Sequence, residues 1–381
     1  MKILMIAPEP FFESRGTPFS EFYRIKALTE MGHTVDLITY PFGEDVEIEN
    51  LRIFRSFKPP FIKRVKIGPS FAKFVLDFFL FPRAFFRGLF GKYDFIHTHE
   101  EGGYIGAFLK KFFGKKHLYD MHSSLPQQMT NFNFTKSKLI IGFVKLMENF
   151  VLKNSDSIIT ICPALQDYVL SQFPKANSHL IENFLDEEYE VDLKRVEEIK
   201  SLFPNKKIAL YAGTLEHYQG IDLLLESVEF IGDSIGILIV GGMKEQIDYY
   251  KKKYNPDEEK VKFIPQVHKK DVINFVEACD TLLSLRKKGT NTPLKIYSYL
   301  KSGKPIVATN ILSHTQILDE KISILVSPEP KAIARGIERA LSEEGKIISK
   351  NALNFAEENF TKERYIEKVK KAIEIFEKKS S

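Results

Sequence analysis

The feature that most constrains this chain is an alternation, run through twice, of short unbroken apolar segments with helix-periodic ones. Lys2-Ile3-Leu4-Met5-Ile6-Ala7, halted by Pro8, is apolar at successive positions rather than at every second one. A strand of that pattern is buried on both faces, as in a parallel sheet covered by helices. A loop containing Gly16 follows, then a helical pattern over 19–31 and Gly32, where a helix-ending glycine belongs. A second strand over 35–40 completes a β-loop-α-β unit, the opening of a Rossmann-like domain.

The alternation continues with strands over 95–97, 117–122, 157–161 and 179–181, and helices over 104–113, 136–153 and 164–171. A charged stretch, 186–200, interrupts it before a new apolar strand over 208–213 restarts the cycle. Strands over 235–240, 261–264, 281–285, 305–309 and 324–326 follow. Helices over 221–231, 246–254, 269–277, 293–300, 331–341 and 361–378 go with them. The prediction is α/β: two doubly wound domains in series, at 1–185 and 206–357, joined by a linker at 186–205. A closing helix within 358–381 is expected to cross back to the N-terminal domain. A length of 381 residues agrees, because single cores stop growing at about 250–300 residues. Ligands of such sheets bind at the carboxyl ends of the strands, so the loops there are the place to look.

Two cysteines, Cys162 and Cys279, exclude a disulfide framework and a Cys-rich zinc site, and favour a reducing compartment. The N-terminus enters a strand too early for a signal peptide, and no uncharged apolar run approaches the ~20 residues of a membrane span. A cytoplasmic protein, soluble or peripheral on the inner face of the membrane, is expected.

Charge and aromatic content are unevenly placed. Residues 52–92 hold eleven Phe, ten basic residues and one acid, Asp77. That segment carries +9 of a chain total of +5, so the remainder is −4. Phe71, Phe74, Phe78, Phe81 and Phe85 fall on one helical stripe, with Pro82 predicting a break or a second helix. For most of them the plain reading is packing against the N-terminal sheet. Phe79 and Phe86 lie off the stripe, and Phe61, Lys63, Arg64 and Lys66 form a basic loop before it. Those six residues are candidates for contact with an anionic membrane surface, and a protein interface is the remaining option. The local basic patch matches no nucleic-acid motif, so nucleic acid is not expected as a partner.

Four stretches together resemble glycosyltransferase family 4, over essentially the whole chain. They are the N-terminal unit through Gly32-His33-Thr34-Val35, and Tyr93-Asp94-Phe95-Ile96-His97-Thr98-His99 with the Tyr119–His122 strand. The other two are the run from Gly213 to Leu224, and Thr292-Pro293-Leu294-Lys295 continuing through Gly303-Lys304-Pro305-Ile306-Val307-Ala308. The resemblance implies a GT-B fold, two Rossmann-like domains facing across a cleft, and a retaining enzyme that moves a sugar from a nucleotide-sugar. It also implies front-face transfer without a protein nucleophile. A lipid-linked or cell-surface saccharide is the expected acceptor.

A departing diphosphate needs donors, and a helix start with free N–H groups supplies them. Gly289, Thr290, Asn291, Thr292, Pro293 and Leu294 lead into a helix with Lys295 in its first turn, and Arg286, Lys287 and Lys288 precede them. Gly213, Thr214, Gly241, Gly242 and Val267 end other donor-domain strands and are expected to face the nucleotide. The family's paired glutamates would fall at Thr290 and Ser298, and its first-loop Arg and Lys at Thr214 and Gln219. Ser298 keeps a weaker hydroxyl contact for the ribose. Arg286 and Lys288 are the candidate replacement cations.

In the N-terminal domain the resemblance assigns the active-site role to His122, which Asp120, two residues back on the same strand face, could orient. Arg15, Gly16, Thr17, His99 and Glu100 are expected to line the ligand side, Gly16 toward the donor and the others toward the acceptor. His97 and His99 with unplaced carboxylates fall short of a metal set, and no Asp-x-Asp occurs, so no metal or other cofactor is expected. Two other readings stand beside the transferase. One is a GT-B sugar-nucleotide epimerase or hydrolase, which needs acid/base carboxylates. The other is a non-catalytic nucleotide-sugar-binding protein, motivated by the missing glutamates.

Overall fold

The computed structural model describes residues 1–13, 16–63, 65, 70–131, 137–183 and 190–377, apart from the side chains of 128, 130 and 131. It separates into two compact units, residues 1–184 with 362–381, and residues 185–361.

The first unit is built on seven parallel strands: β1 (Lys2–Ala7), β2 (Thr34–Thr39), β3 (Leu51–Arg55), β4 (Phe95–His99), β5 (His117–Met121), β6 (Ser157–Thr160) and β7 (Ser178–Leu180). Their order in the sheet is β3-β2-β1-β4-β5-β6-β7. Between them run α1 (Gly16–Glu30), α2 (Phe71–Phe90), α3 (Gly103–Phe113), α4 (Leu125–Asn131), α5 (Lys138–Lys153) and α6 (Pro163–Gln172). Ile3 through Ala7 are fully buried between β2 and β4, with Leu4 opposite Asp36 on one side and Ile96 on the other. Each such aliphatic side chain contributes about 2 kcal/mol of burial, which is why an unbroken apolar run marks a central strand. The direction of winding reverses between β1 and β4, so the loops leaving these strands form the crevice where ligands sit in such sheets.

The second unit repeats the plan. Its strands β8 (Lys207–Ala212), β9 (Ile235–Val240), β10 (Val261–Ile264), β11 (Thr281–Ser284), β12 (Ile306–Thr309) and β13 (Ile324–Val326) lie in the order β10-β9-β8-β11-β12-β13. Its helices are α7 (Leu193–Lys200), α8 (Ile221–Ser227), α9 (Lys244–Tyr254), α10 (Val272–Ala278), α11 (Lys295–Lys301), α12 (Leu312–Thr315), α13 (Pro330–Ala340) and α14 (Glu343–Asn359). The reversal here falls between β8 and β11. The last helix, α15 (Lys362–Glu377), belongs to the first unit, where Phe376 stacks on Phe95 at 4.3 Å and Ser157 donates to the Ala372 carbonyl at 2.7 Å.

Several expectations change. β3, α4, α7, α12 and α14 are additional, and the charged stretch after residue 186 contributes α7, capped by the Asp192 carboxylate on Lys194 N and Arg195 N. Pro82 does not break its helix; α2 runs unbroken from Phe71 to Phe90. Pro82 is exposed, so the carbonyl it leaves unbonded one turn back faces water. Only part of the Phe stripe packs: Phe81 and Phe85 lie against the core, and Phe71, Phe74 and Phe78 do not. α2 buries Leu76, Leu80, Ala84 and Gly88, while Phe71, Phe74 and Phe78 are 78%, 73% and 71% exposed. The small side chains decide this, because a Cβ at Gly88 would lie 2.6 Å from Leu109 Cδ1. Helix α11 begins at Lys295, so Pro293 lies in the preceding turn, where Ile296 N bonds the Pro293 carbonyl.

Candidate functional site

In the first unit the candidate residues gather at the carboxyl ends of β4 and β5. His97 and His99 alternate with Thr98 on β4, and Asp120 lies directly opposite His99 on β5. His99 Nδ1 lies 3.0 Å from His122 Nε2, and Asp120 Oδ1 is 3.4 Å from that same His122 nitrogen. Asp120 Oδ2 accepts from Arg24 Nε at 2.9 Å and lies 3.4 Å from His97 Nε2. All five side chains are buried. Burial pushes the His122 imidazole down to about 4, helped by the Arg24 and His97 charges and opposed by Asp120, so His122 is neutral at physiological pH. Burial opposes ionisation of Asp120, but Arg24 and the imidazoles outweigh it and hold the carboxyl well below its usual range.

His97, His99 and Asp120 each offer an atom within 4.8 Å of the others, a spacing that could hold an ion. The positive charge at Asp120 is supplied instead by Arg24, itself 1% exposed. His99 is fully buried between His97 and His122.

Beside this group lies a set of acids around the β1–α1 loop. Glu9 holds Lys73 of α2 at 2.7 Å, and its backbone carbonyl, bonded by Tyr40 N and the Thr39 hydroxyl, fixes the loop. Tyr40 donates to Asp77 at 2.6 Å, and burial raises that carboxyl to about 7. Glu100 has φ +45°, a conformation unusual for any residue but glycine, and its carboxylate accepts from Ser123 Oγ at 3.1 Å. Burial, with Glu101 and Glu9 nearby, raises Glu100 to about 8. Glu21 of α1 is fully buried.

In the second unit the donor candidates sit on loops at the carboxyl ends of strands, except Lys295 and Ser298, which lie on α11. Gly213 and Thr214 follow β8, Gly241 and Gly242 follow β9, Val267 follows β10, and residues 286–294 follow β11. Gly241 has φ +124°, and a Cβ there would lie 2.0 Å from the Gly213 carbonyl, so glycine is what lets these two turns touch. Lys295 reaches back beneath them. Its Nζ donates to the Ala212 carbonyl at 3.2 Å and stands 3.9 Å from the Tyr211 ring centre. Burial, with Arg286 adding to it, holds the Lys295 ammonium well below its usual value. Arg286 donates through Nη1 to the Asn291 carbonyl at 3.0 Å and through Nε to Gln219 at 3.4 Å, which ties the loop after β11 to the loop after β8. Among the described residues the Thr292 hydroxyl is buried without a hydrogen-bond partner.

The structure sorts the predicted residues. Lys287 is taken up by Asp222 at 2.6 Å and His217 at 3.2 Å, and does not join the other cations. Lys288 and Ser298 are exposed, and Ser298 Oγ bonds back to the Lys295 carbonyl at 2.9 Å. Gln316 donates to the Thr290 carbonyl at 2.8 Å, fixing that turn. Gly16 opens α1 with φ +45° and open space around it, and Thr17 is half-buried next to it. Arg15, Arg64 and Lys66 lie outside the described residues. Phe61 and Lys63 are exposed, as are Phe79 and Phe86, at 36% and 57% for the last two. Arg24, Glu21, Glu9 and Lys73 escaped the sequence reading. Glu21 and Arg24 did leave a signal: they are charged residues three apart on a helix whose neighbouring Ile25 and Leu28 face the core.

Comparison with known proteins follows the same division. The "Glycosyltransferase Family 4" model matches residues 23–189, and the "Glycosyl transferases group 1" model matches residues 194–374. An uncharacterized glycosyltransferase of Methanocaldococcus jannaschii is 25% identical over 248 residues, and the match spans 63% of this chain and 63% of that relative. Among solved structures, sucrose-phosphate synthase of Thermosynechococcus elongatus superposes with TM-score 0.77 at 19% identity, over 96% of each chain. HepE of Anabaena in complex with UDP-glucose superposes with TM-score 0.73 at 15% identity, over 98% of this chain and 100% of that one. These likenesses show the fold, and with one family model on each Rossmann-like unit the chain belongs to glycosyltransferase family 4, with the GT-B fold.

Proposed function

We propose that the chain transfers a sugar from a nucleotide-sugar to a lipid-linked or cell-surface saccharide, with retention of configuration, at the cytoplasmic face of an anionic membrane. The observation that carries the reading is the second unit's loop cluster, where Gly213, Arg286 and Lys295 converge at the β8/β11 switch point. A diphosphate there would accept from backbone N–H groups and Arg286, and its charge would favour the protonated form of Lys295, which burial alone disfavours. HepE was solved with UDP-glucose, which supports a nucleotide-sugar as donor. In the first unit, neutral His122 suits a hydrogen-bonding role toward the transferred sugar rather than a charged one. Catalysis is then positioning and stabilisation of the leaving diphosphate, whose oxygen takes the acceptor's proton.

Exposed Phe71, Phe74, Phe78, Phe86 and Phe90 of α2 support a lipid-facing role. The apolar surface extends beyond the segment singled out in the sequence. Phe85 touches Phe108 and Phe113 of α3 at 5.9 and 6.1 Å, and α5, packed on α3, adds exposed Leu139, Ile140 and Phe143. Among the described residues no helix is long and apolar enough to cross a membrane, so the proposed contact is interfacial.

The test is mass spectrometry of membrane lipid extract incubated with the chain and a panel of nucleotide-sugars. One added hexose mass on a lipid is expected. Free sugar without lipid product would favour a hydrolase, and unchanged donors would favour a binding protein.

A further inference from the structure

The loop that follows β11 is held from two sides. Toward β8, Lys287 N donates to the Tyr218 carbonyl at 2.9 Å and Arg286 Nε reaches Gln219 at 3.4 Å. Toward β12, the supports come from Thr309 at the strand's end and from the turn containing α12. The Thr309 hydroxyl donates to the Arg286 carbonyl at 2.6 Å, and Gln316 Nε2 donates to the Thr290 carbonyl at 2.8 Å. Behind Thr309 stands His314, fully buried. Its Nδ1 lies 2.8 Å from the Thr309 carbonyl, which can only accept, so Nδ1 carries the proton. Nε2 of the neutral ring is then the acceptor, and Ser284 Oγ, also fully buried, donates to it at 2.9 Å. Burial pushes this imidazole down to about 4, opposed by the bond to Thr309 and helped by the Arg286 and Lys295 charges. The ring is therefore neutral and lies beside both donor-site cations. An aliphatic side chain would fill the same space without the cost of burying two ring nitrogens. What the histidine adds is direction: a chain of bonds from Ser284 through His314 and Thr309 back to Arg286.

We propose that His314 and Thr309 are positioning residues of the donor site, which fix the backbone at Arg286 so that its guanidinium meets the donor's diphosphate in one place. Arg286 then closes the loop on itself, since Nη1 donates to the Asn291 carbonyl at 3.0 Å. Residues 286–294 have no strand or helix ladder to hold them, so their shape depends on such side-chain bonds. A cation stabilises a leaving diphosphate best when it is already in position and pays no reorganisation. Neither His314 nor Thr309 is required to touch the ligand, and both act through Arg286. The inference rests on the transferase reading, because it takes a nucleoside diphosphate to bind at this loop. Its test reads binding rather than turnover.

Calorimetric titration of the full chain with UDP, GDP and ADP would be compared across variants, each with its melting temperature. Thr309→Val keeps the branched shape and removes the hydroxyl, whereas Thr309→Ser keeps the hydroxyl and loses a buried methyl. The wild type is expected to bind at least one of the three nucleotides. Thr309→Val should weaken that binding at least about tenfold, or 1.4 kcal/mol, and Thr309→Ser should stay within about twofold of wild type. A merely structural residue would make affinity follow the melting temperature instead of the hydroxyl. His314→Phe should weaken binding as Thr309→Val does. Should it fail to fold, Ser284→Ala, which removes the donor to the ring, must weaken binding at least about threefold. Unchanged affinity in Thr309→Val, or equal losses in Thr309→Val and Thr309→Ser, overturns the positioning role and leaves the transferase reading standing. A wild type that binds none of the three nucleotides counts against both.

Discussion

At the residue scale the first unit depends on one buried network. Arg24 balances Asp120 among three imidazoles, so removing the guanidinium strands a carboxylate in the interior. Arg24→Met is expected to destabilise the chain by about 3–5 kcal/mol in urea unfolding, with Arg24→Met/Asp120→Asn recovering part of it. An effect below about 1 kcal/mol would mean that the pair is dispensable. The histidines carry a second prediction. His117, His122 and His314 are each pushed by burial to about 4 from an ordinary 6.5. Between those values the unfolded chain binds more protons than the folded one, so each draws stability down as pH falls through that window. Asp77 and Glu100, raised to about 7 and 8, act in the opposite sense as pH rises. Residue-resolved NMR therefore reads the effect more cleanly than a melting curve. Imidazole resonances of the three should stay unshifted from pH 8 to about pH 5, and a midpoint near 6.5 would contradict the burial. His122 and Lys295 were legible because motif and strand end coincide. Arg24 was less so, because its partner Asp120 lies 96 residues away in sequence.

At the scale of elements, α2 shows where periodicity misleads. The Phe stripe is the more regular pattern, yet Ala84 and Gly88 set the approach to α3 and the sheet, and small residues carry no hydrophobic signal. Phe71, Phe74 and Phe78 are then left outside, while Phe81 and Phe85 still pack on the core. Gly88→Val should destabilise by about 1–3 kcal/mol through the clash with Leu109 and Ile96, measured by urea unfolding. Pro82→Ala, restoring an exposed helix bond, should raise the melting temperature instead. A fall would mean that the proline ring itself contributes packing. The central strands were readable because parallel strands buried on both faces need unbroken apolar runs. β3, half-buried at the sheet edge and interrupted by Arg52 and Arg55, offers no such run. For lipid contact, co-sedimentation should be stronger with vesicles containing phosphatidylglycerol than with phosphatidylcholine alone, and Phe74→Ser/Phe78→Ser should reduce it. Equal binding to both vesicle types would argue against an anionic surface.

At the scale of the molecule, the two units share one plan and divide the chemistry. The second gathers cations and glycine turns, and the first gathers buried imidazoles and acids. Doubly wound folding was legible from the repeat of the strand-helix cycle. The division of labour needed the strand orders, which place both switch points. The chain passes between the units near residue 184 and again at 361, and α15 completes the first unit's core through Tyr365, Val369, Ile373 and Phe376. The claim that this division makes a transferase is tested most directly by nucleoside diphosphate release from a nucleotide-sugar panel in the presence of membrane lipid extract. Wild type should be compared with His122→Ala and Lys295→Met. Donor-dependent release that falls at least about tenfold in both variants, or 1.4 kcal/mol of transition-state stabilisation, is the expected result. No release from any donor, or release unchanged in both variants, would contradict it.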